Sequence, residues 1–299
     1  MILQNASALE ILIGTSGYDY PEWKGVFYPA DLKRKDFLPY YSTVFNALEL
    51  NSTFYNMPTA GRLLSFYERS EARVQFSIKA NKLLTHKVGK GWKNAAEDFK
   101  TAVLPLQEKS ALSTVLFQFP QSFHYTKENR IYLADLLDEF KPFCVAIEFR
   151  HAEWIRESVF EGLEERGAGL VYCDMPNLRN LPDGKTLCTP FVGANAYIRL
   201  HGRNDGAWYA HAPKEQTSIA STHANSSKTT YTAGESVNGS ARYCYDYRDD
   251  ELKEFVPVIQ RAVSERKKVQ AYFNNHPNGS GAKNALRLRK MIYENANLL

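Results

Sequence analysis

Charged and polar side chains alternate with apolar ones in short runs along this chain, and their types are those of proton transfer and anion binding. Glu49 and Asn51 alternate with Leu48 and Leu50, and Gln75, Ser77 and Lys79 with Val74, Phe76 and Ile78; Gln118 stands between Phe117 and Phe119. Glu148 and Arg150 alternate with Ile147 and Phe149, and Asp174 follows Cys173. Tyr197, Arg199 and His201 alternate with Ile198 and Leu200, and Gln270, Tyr272 and Asn274 with Val269, Ala271 and Phe273. Glu49, Glu148, Asp174 and His201 are candidates for acid/base work, while Lys79, Arg150, Arg199 and Arg203 could clamp an anion. An unpaired buried charge costs several kcal/mol, so groups of this kind at strand ends must meet one another, water or a ligand.

Alternation with period two is the mark of a β-strand, whose successive side chains point to opposite faces. Strands are expected at Ile11–Ser16, Phe45–Asn51, Val74–Ala80, Thr114–Phe119, Cys144–Phe149, Gly169–Asp174, Ala196–His201 and Val269–Asn274. Between them lie segments of helical spacing. Ile131, Leu133, Leu136, Leu137 and Phe140 form one stripe in Lys127–Phe140, and Leu252, Phe255, Val256, Ile259 and Val263 another in Asp249–Lys267. Eight such alternations predict an α/β fold, a TIM (β/α)8 barrel occupying residues 1–299 as a single domain. Helices cover the outside of such a barrel, so the polar parity of each strand is predicted to face inward, with Asp174 assigned to that face. The stretch 209–241 is rich in Ser, Thr, Ala, Asn and Gly and reads as a long flexible insertion after the seventh strand, mobile or lid-like.

In such barrels the loops after the strands carry the chemistry. Trp23, Trp92, Trp154 and Trp208 fall in or beside them and could stack on a sugar or base, although packing within the loop serves each one as well. Gly14, Thr15, Ser16 and Gly17 end the first strand with small residues whose amides an anion could approach. His86 and His151 are loop histidines able to titrate at the mouth, and His201 shares the inward face of Arg199.

Composition sets bounds. A net charge of +4 permits an anionic partner without requiring one, and 44% hydrophobic residues exclude a disordered chain. Cys144, Cys173, Cys188 and Cys244 lack metal-finger spacing, so neither a disulfide framework nor a zinc finger is expected. No apolar run approaches a membrane span and the start lacks a secretory pattern, so a cytoplasmic protein without membrane partner is expected.

Seven ordered segments together resemble one family: GTSGYDYPEWKGVFYP, LELNSTFYNMP, FSIKANKLLTH, LFQFP, IEFRHAEW, YIRLHGR and YFNN. They are similar to the domain of unknown function 72 (YecE-like) family over nearly the whole chain. The resemblance implies a TIM barrel in a bacterial or archaeal cytosolic protein and brings no established reaction. It implies a shared site drawn from Gly14, Ser16, Gly17, Tyr18, Trp23, Glu49, Asn51, Ser52, Tyr55, Lys79, His86, Gln118, Glu148, Arg150, His151, Trp154, Asp174, Arg199, His201, Gly202, Arg203, Asn274 and Asn275. Tyr18 stands where that family commonly has Trp, and the insertion 209–241 is longer than usual for it.

The expectation is an enzyme acting on a phosphorylated or other anionic substrate, a sugar phosphate or a nucleic-acid phosphodiester. Glu49, Glu148, Asp174 and His201 are assigned its acid/base work. Ser16, Trp23, Asn51, Lys79, His86, Gln118, Arg150, His151, Trp154, Arg199, Arg203, Asn274 and Asn275 are assigned to substrate binding. Convergence of Glu49, Glu148, Asp174 and His201 would instead hold a divalent metal, as in barrel isomerases and endonucleases. Glu49 and Glu148 as a pair would suit glycoside hydrolysis, and a shallow basic mouth a non-catalytic nucleic-acid-binding module. No organic cofactor is indicated, and the choice among hydrolase, isomerase and lyase, like the oligomeric state, stays open at this point.

Overall fold

In a computed structural model, which describes residues 11–182, 190–209 and 241–294, eight parallel strands close into a barrel in chain order. The strands are β1 (Ile11–Ser16), β2 (Ala47–Leu50), β3 (Gln75–Lys79), β4 (Leu112–Gln118), β5 (Val145–Glu148), β6 (Gly169–Asp174), β7 (Asn195–Leu200) and β8 (Lys268–Phe273). Closure comes from β1 pairing with both β2 and β8, Gly14 lying opposite Ala47 on one side and Tyr272 on the other. Gly14 is required there, since a Cβ at this position would sit 1.9 Å from the Ala47 carbonyl oxygen.

The helices of the outer layer are α1 (Phe37–Val44), α2 (Ser52–Tyr55), α3 (Ala60–Arg69), α4 (Trp92–Glu108), α5 (Lys127–Glu139), α6 (Glu157–Glu164), α7 (Asp249–Lys253), α8 (Phe255–Ser264) and α9 (Ser280–Glu294). Thr59 and Thr126 start α3 and α5 by accepting the backbone N–H groups of Arg62 and Asn129, satisfying donors that a first helical turn leaves open. In α5 the buried stripe is Leu133, Leu136 and Leu137, continued by Phe140. Ile131 departs from the expected stripe and is exposed, because a position two residues before Leu133 lies about 200° around the helix. The single helix expected over Asp249–Lys267 is two, α7 and α8, divided at Glu254. Pro257 has no N–H for the Lys253 carbonyl, and its ring crowds that group, which places the break. Leu252, Phe255, Val256 and Ile259 are nonetheless all buried against the barrel.

Two packed regions result. Between barrel and helices lies the large apolar core, to which Leu48, Phe76, Ile78, Phe117, Ile147 and Ile198 contribute. Inside the barrel a smaller one joins Leu12, Ala47, Leu116, Ala146, Val171, Tyr197 and Tyr272. Below it, Gln270 exchanges hydrogen bonds with Thr114, and Asn195 donates to Thr114, so this inner polar layer satisfies itself. The charged layer lies above, at the C-terminal ends of the strands. The expected insertion 209–241 falls outside the described residues apart from its two ends. Among the described residues no helix is long and apolar enough to cross a membrane.

Candidate active site at the barrel mouth

Arg199 is the centre of the charged layer. It projects inward from β7, is 1% exposed, and bridges two carboxylates that are fully buried: Nη2 donates to Glu49 Oε1 at 2.6 Å and Nη1 to Glu148 Oε2 at 2.5 Å. Glu49 is held further by the Ser16 hydroxyl and by the Tyr197 hydroxyl at 2.7 Å. The other oxygen of Glu148 accepts from Arg150 Nε. Burial alone would raise the Glu148 carboxyl, but Arg150 and Arg199 overcome it and hold the group well below the usual carboxylate range. Ser16, Glu49, Glu148, Arg150, Tyr197 and Arg199 therefore form one continuous polar network, in which Arg199 Nε is without a partner among the described residues.

Three groups lie nearer the opening. Arg150 uses a second nitrogen, Nη2, on His201 Nε2 at 3.1 Å, while Asn274 lies 3.1 Å from Nδ1 of the same ring. Burial, reinforced by Arg150, lowers His201 to about 3, so the imidazole is neutral at pH 7. Arg150 Nη2 is a donor to Nε2, and the Asn274 side-chain nitrogen beside Nδ1 is likewise a donor, so both ring nitrogens face donor groups. Lys79 is partly exposed; its Nζ donates to Gln118 Oε1 at 2.9 Å and lies 4.5 Å from the centre of the Phe54 ring. Among the described residues it makes no ion pair. Burial and then Arg199 lower Lys79 to about 7, with Glu148 and Glu49 recovering only part of the shift. His86 packs edge-on against Phe54 at 4.8 Å and is lowered to about 4 by burial and by Lys79. Trp208 and Tyr243 stand over His201, with Trp208 also 5.7 Å from the Arg150 guanidinium.

The network brings together Ser16, Glu49, Lys79, Gln118, Glu148, Arg150, Arg199, His201 and Asn274, and leaves several assigned residues elsewhere. Asp174 faces outward, and Cys173 holds the inward position on β6. The reason is local: Asp174 finds its polar partners outside the barrel, in Arg203 at 2.9 Å and the Tyr247 hydroxyl at 2.5 Å. Arg203 is thereby spent on Asp174 and on Glu254 at 2.7 Å, and fastens the segment after β7 to the α7–α8 corner rather than lining the mouth. Trp23 and Trp154 are core residues. Trp23 donates to the His276 carbonyl at 2.8 Å, and Trp154 donates to the Phe123 carbonyl at 2.6 Å while stacking on Phe149 and Phe123. His151 points away from Arg150 toward His124, 4.6 Å between ring centres. Asn275 is fully buried and ties the Tyr245 carbonyl to Asn284 of α9. Asn51 stays at the rim of β2, its Oδ1 without a partner among the described residues.

Sequence reasoning assigned no role to Cys173, Tyr197, Phe54 or Tyr243. Tyr197 was readable, since it shares the parity of Arg199; Phe54 and Tyr243 come from loops, where no periodicity marks orientation.

Among the described residues, two clusters have the donor types of a metal site. Glu148, Cys173 and His201 offer ligand atoms within 4.8 Å of one another, but two guanidinium groups already neutralise Glu148 there. With Asp174 outside, the expected set of Glu49, Glu148, Asp174 and His201 is not assembled. His124, His151 and Glu153, on the loops after β4 and β5, form the second cluster, apart from the mouth.

The fold and this ring of inward charges define a (β/α)8 barrel with its polar groups gathered at the C-terminal mouth. Residues 12–298 match the family described as protein of unknown function DUF72, and the chain belongs to that family. It is 25% identical over 300 residues to the UPF0759 protein YunF of Bacillus subtilis strain 168, covering 94% of each chain. A crystal structure of a DUF72 family protein from Thermotoga maritima is similar at TM-score 0.78 and 32% identity, over 95% of this chain and 99% of that one. A DUF72 family protein from Enterococcus faecalis, 22% identical, has the same fold at TM-score 0.76 over 95% of each chain.

Proposed function

We propose that the chain is an enzyme acting on an anionic small molecule, whose negative group is received by Arg150 and whose reaction uses Lys79 as the proton-transfer group. The observation that carries this reading is the uneven pairing of the inner charges. Arg199 and Arg150 occupy both inward carboxylates, Glu49 and Glu148, so the mouth presents Lys79 and the outer edge of Arg150 with no free carboxylate beside them among the described residues. A desolvated cationic surface attracts an anion far more strongly than the same charges in water. Glu49, Glu148 and His201 then serve to hold the guanidinium groups, and Lys79, lowered to about 7, is the group able to give and take a proton near neutral pH. Trp208, Tyr243 and Phe54 supply apolar walls for the rest of the substrate.

A ligand that binds only the folded protein raises its stability by about 2.7 kcal/mol at a hundred times its dissociation constant. Melting temperatures are therefore to be compared with glucose 6-phosphate, ribose 5-phosphate, inorganic phosphate, glucose and a short single-stranded oligonucleotide. Protection by the phosphorylated sugars beyond that by glucose, lost in Lys79→Met, is the expected result. Protection by the oligonucleotide alone would replace this reading with nucleic-acid binding, and protection by none of them would end it.

A further inference from the structure

Lys79 has an arrangement that proton transfer alone does not require. It ends β3 on the inward face, its only hydrogen bond among the described residues is to the neutral oxygen of Gln118, and its Nζ lies against the Phe54 ring. The charged groups around it come from every side of the mouth: Glu49 from β2, Glu148 and Arg150 from β5 and the residues after it, Arg199 from β7, and His86 from the loop after β3. Both glutamates are engaged by guanidinium groups, so among the described residues no carboxylate is paired with the ammonium. An amine beside other cations and desolvated by an aromatic face is the usual setting of a nucleophilic lysine.

We propose that Lys79 is a covalent nucleophile, its Nζ condensing with the carbonyl carbon of an aldehyde or ketone whose anionic group is held by Arg150. This rests on the anionic-substrate reading above and names its reacting group. The ammonium first loses a proton to water at the mouth. The nitrogen lone pair then forms a C–N bond as the carbonyl π bond passes to oxygen, giving a carbinolamine; expulsion of that oxygen as water leaves a C=N imine. Amine and carbonyl thus become imine and water, with no oxidation or reduction. Once protonated, the imine draws electrons from the adjacent carbon, the activation that an isomerase or lyase needs and a hydrolase does not. Lys79 is lowered to about 7, so roughly half of it is neutral amine at that pH, against about one part in 2,500 for an ordinary lysine.

The test incubates the full chain with glycolaldehyde phosphate and sodium cyanoborohydride at pH 7.5, then quantifies modification of every lysine by peptide mass spectrometry. Neutral glycolaldehyde is run in parallel. Lys79 is expected to be modified at least about tenfold faster than the surface lysines with the phosphorylated aldehyde, with a smaller advantage for the neutral one. Its rate should level off above about pH 7, while surface lysines continue to gain. Because all sites are compared within the wild-type protein, the result does not depend on a variant folding; Lys79→Arg supplies the control for site assignment. Modification of Lys79 no faster than that of surface lysines overturns the imine. If phosphorylated sugars still protect the protein thermally, the anionic-substrate reading survives that failure; if they do not, both fall.

Discussion

Replacing Arg199 with leucine leaves Glu49 without a cation at the heart of the barrel. Glu148 keeps Arg150, whereas Glu49 keeps only the hydroxyl groups of Ser16 and Tyr197 as donors. Removing one member of a buried pair costs about 3–5 kcal/mol, chiefly the penalty of the charge left behind. Protonation caps that penalty, because a carboxyl with an ordinary value near 4.3 takes up a proton at pH 7 for about 1.36 × 2.7, or roughly 3.7 kcal/mol. The expected loss is thus about 3–4 kcal/mol at pH 7. Its pH dependence follows: in the variant the folded-state carboxyl is raised above its unfolded value, so the folded variant binds the extra proton and gains relative stability as pH falls. The deficit should shrink to about 1 kcal/mol at pH 5. Urea unfolding of wild type, Arg199→Leu and Arg199→Leu/Glu49→Gln at both pH values measures this, the double variant recovering much of the loss at pH 7. A loss below about 1 kcal/mol at pH 7, or a gap that does not change between pH 7 and pH 5, would refute the charge-stranding argument.

Phe255→Ala should destabilise the protein by about 3–5 kcal/mol, since the ring is wholly buried beneath α8; an unchanged denaturation midpoint would contradict that packing. His201 should remain neutral in imidazole nitrogen NMR spectra down to about pH 4, and because the unfolded ring binds a proton near 6.5 while the folded one waits until about 3, its burial should erode stability as pH falls through that window. A ring that titrates near 6.5 in the folded protein would show that Arg150 does not donate to it. Gly14→Ala forces a Cβ onto the Ala47 carbonyl at the β1–β2 seam and should cost at least about 1–3 kcal/mol, so a wild-type melting temperature would mean that the strands do not approach so closely.

The barrel was legible because period-two alternation, repeated eight times with helical spacing between, has few closed solutions. Strand parity then located Glu49, Lys79, Glu148, Arg199 and His201 together, since helices cover the opposite face and leave those groups nowhere else to go. The same rule misassigned Asp174, because Arg203 and Tyr247 supply it with outside partners, and such long-range pairing leaves no trace in local periodicity. Tryptophans behave likewise. Nothing near Trp23 or Trp154 reveals that their N–H groups meet the carbonyls of His276 and Phe123, which makes them buried pillars of loop packing. The order of charge pairing was also out of reach: the sequence reads as four mouth cations, Lys79, Arg150, Arg199 and Arg203, against three inward carboxylates, Glu49, Glu148 and Asp174, and only three-dimensional distance removes Asp174 and Arg203 and leaves Lys79 without an ion pair among the described residues.

The Arg199 network also bears on how the chain reaches this structure. Glu49 and Lys79 belong to the first four strands, and Glu148, Arg150 and Arg199 to the last four, so Glu49 has its guanidinium partner in the opposite half of the barrel. A four-stranded half assembled alone would hold Glu49 without Arg199, and its complement would hold two guanidinium groups around a single carboxylate. The buried Glu49–Arg199 pair therefore forms only when the two halves meet. Docking of β7 thus brings Glu49 its guanidinium partner and couples the two halves through one buried ion pair.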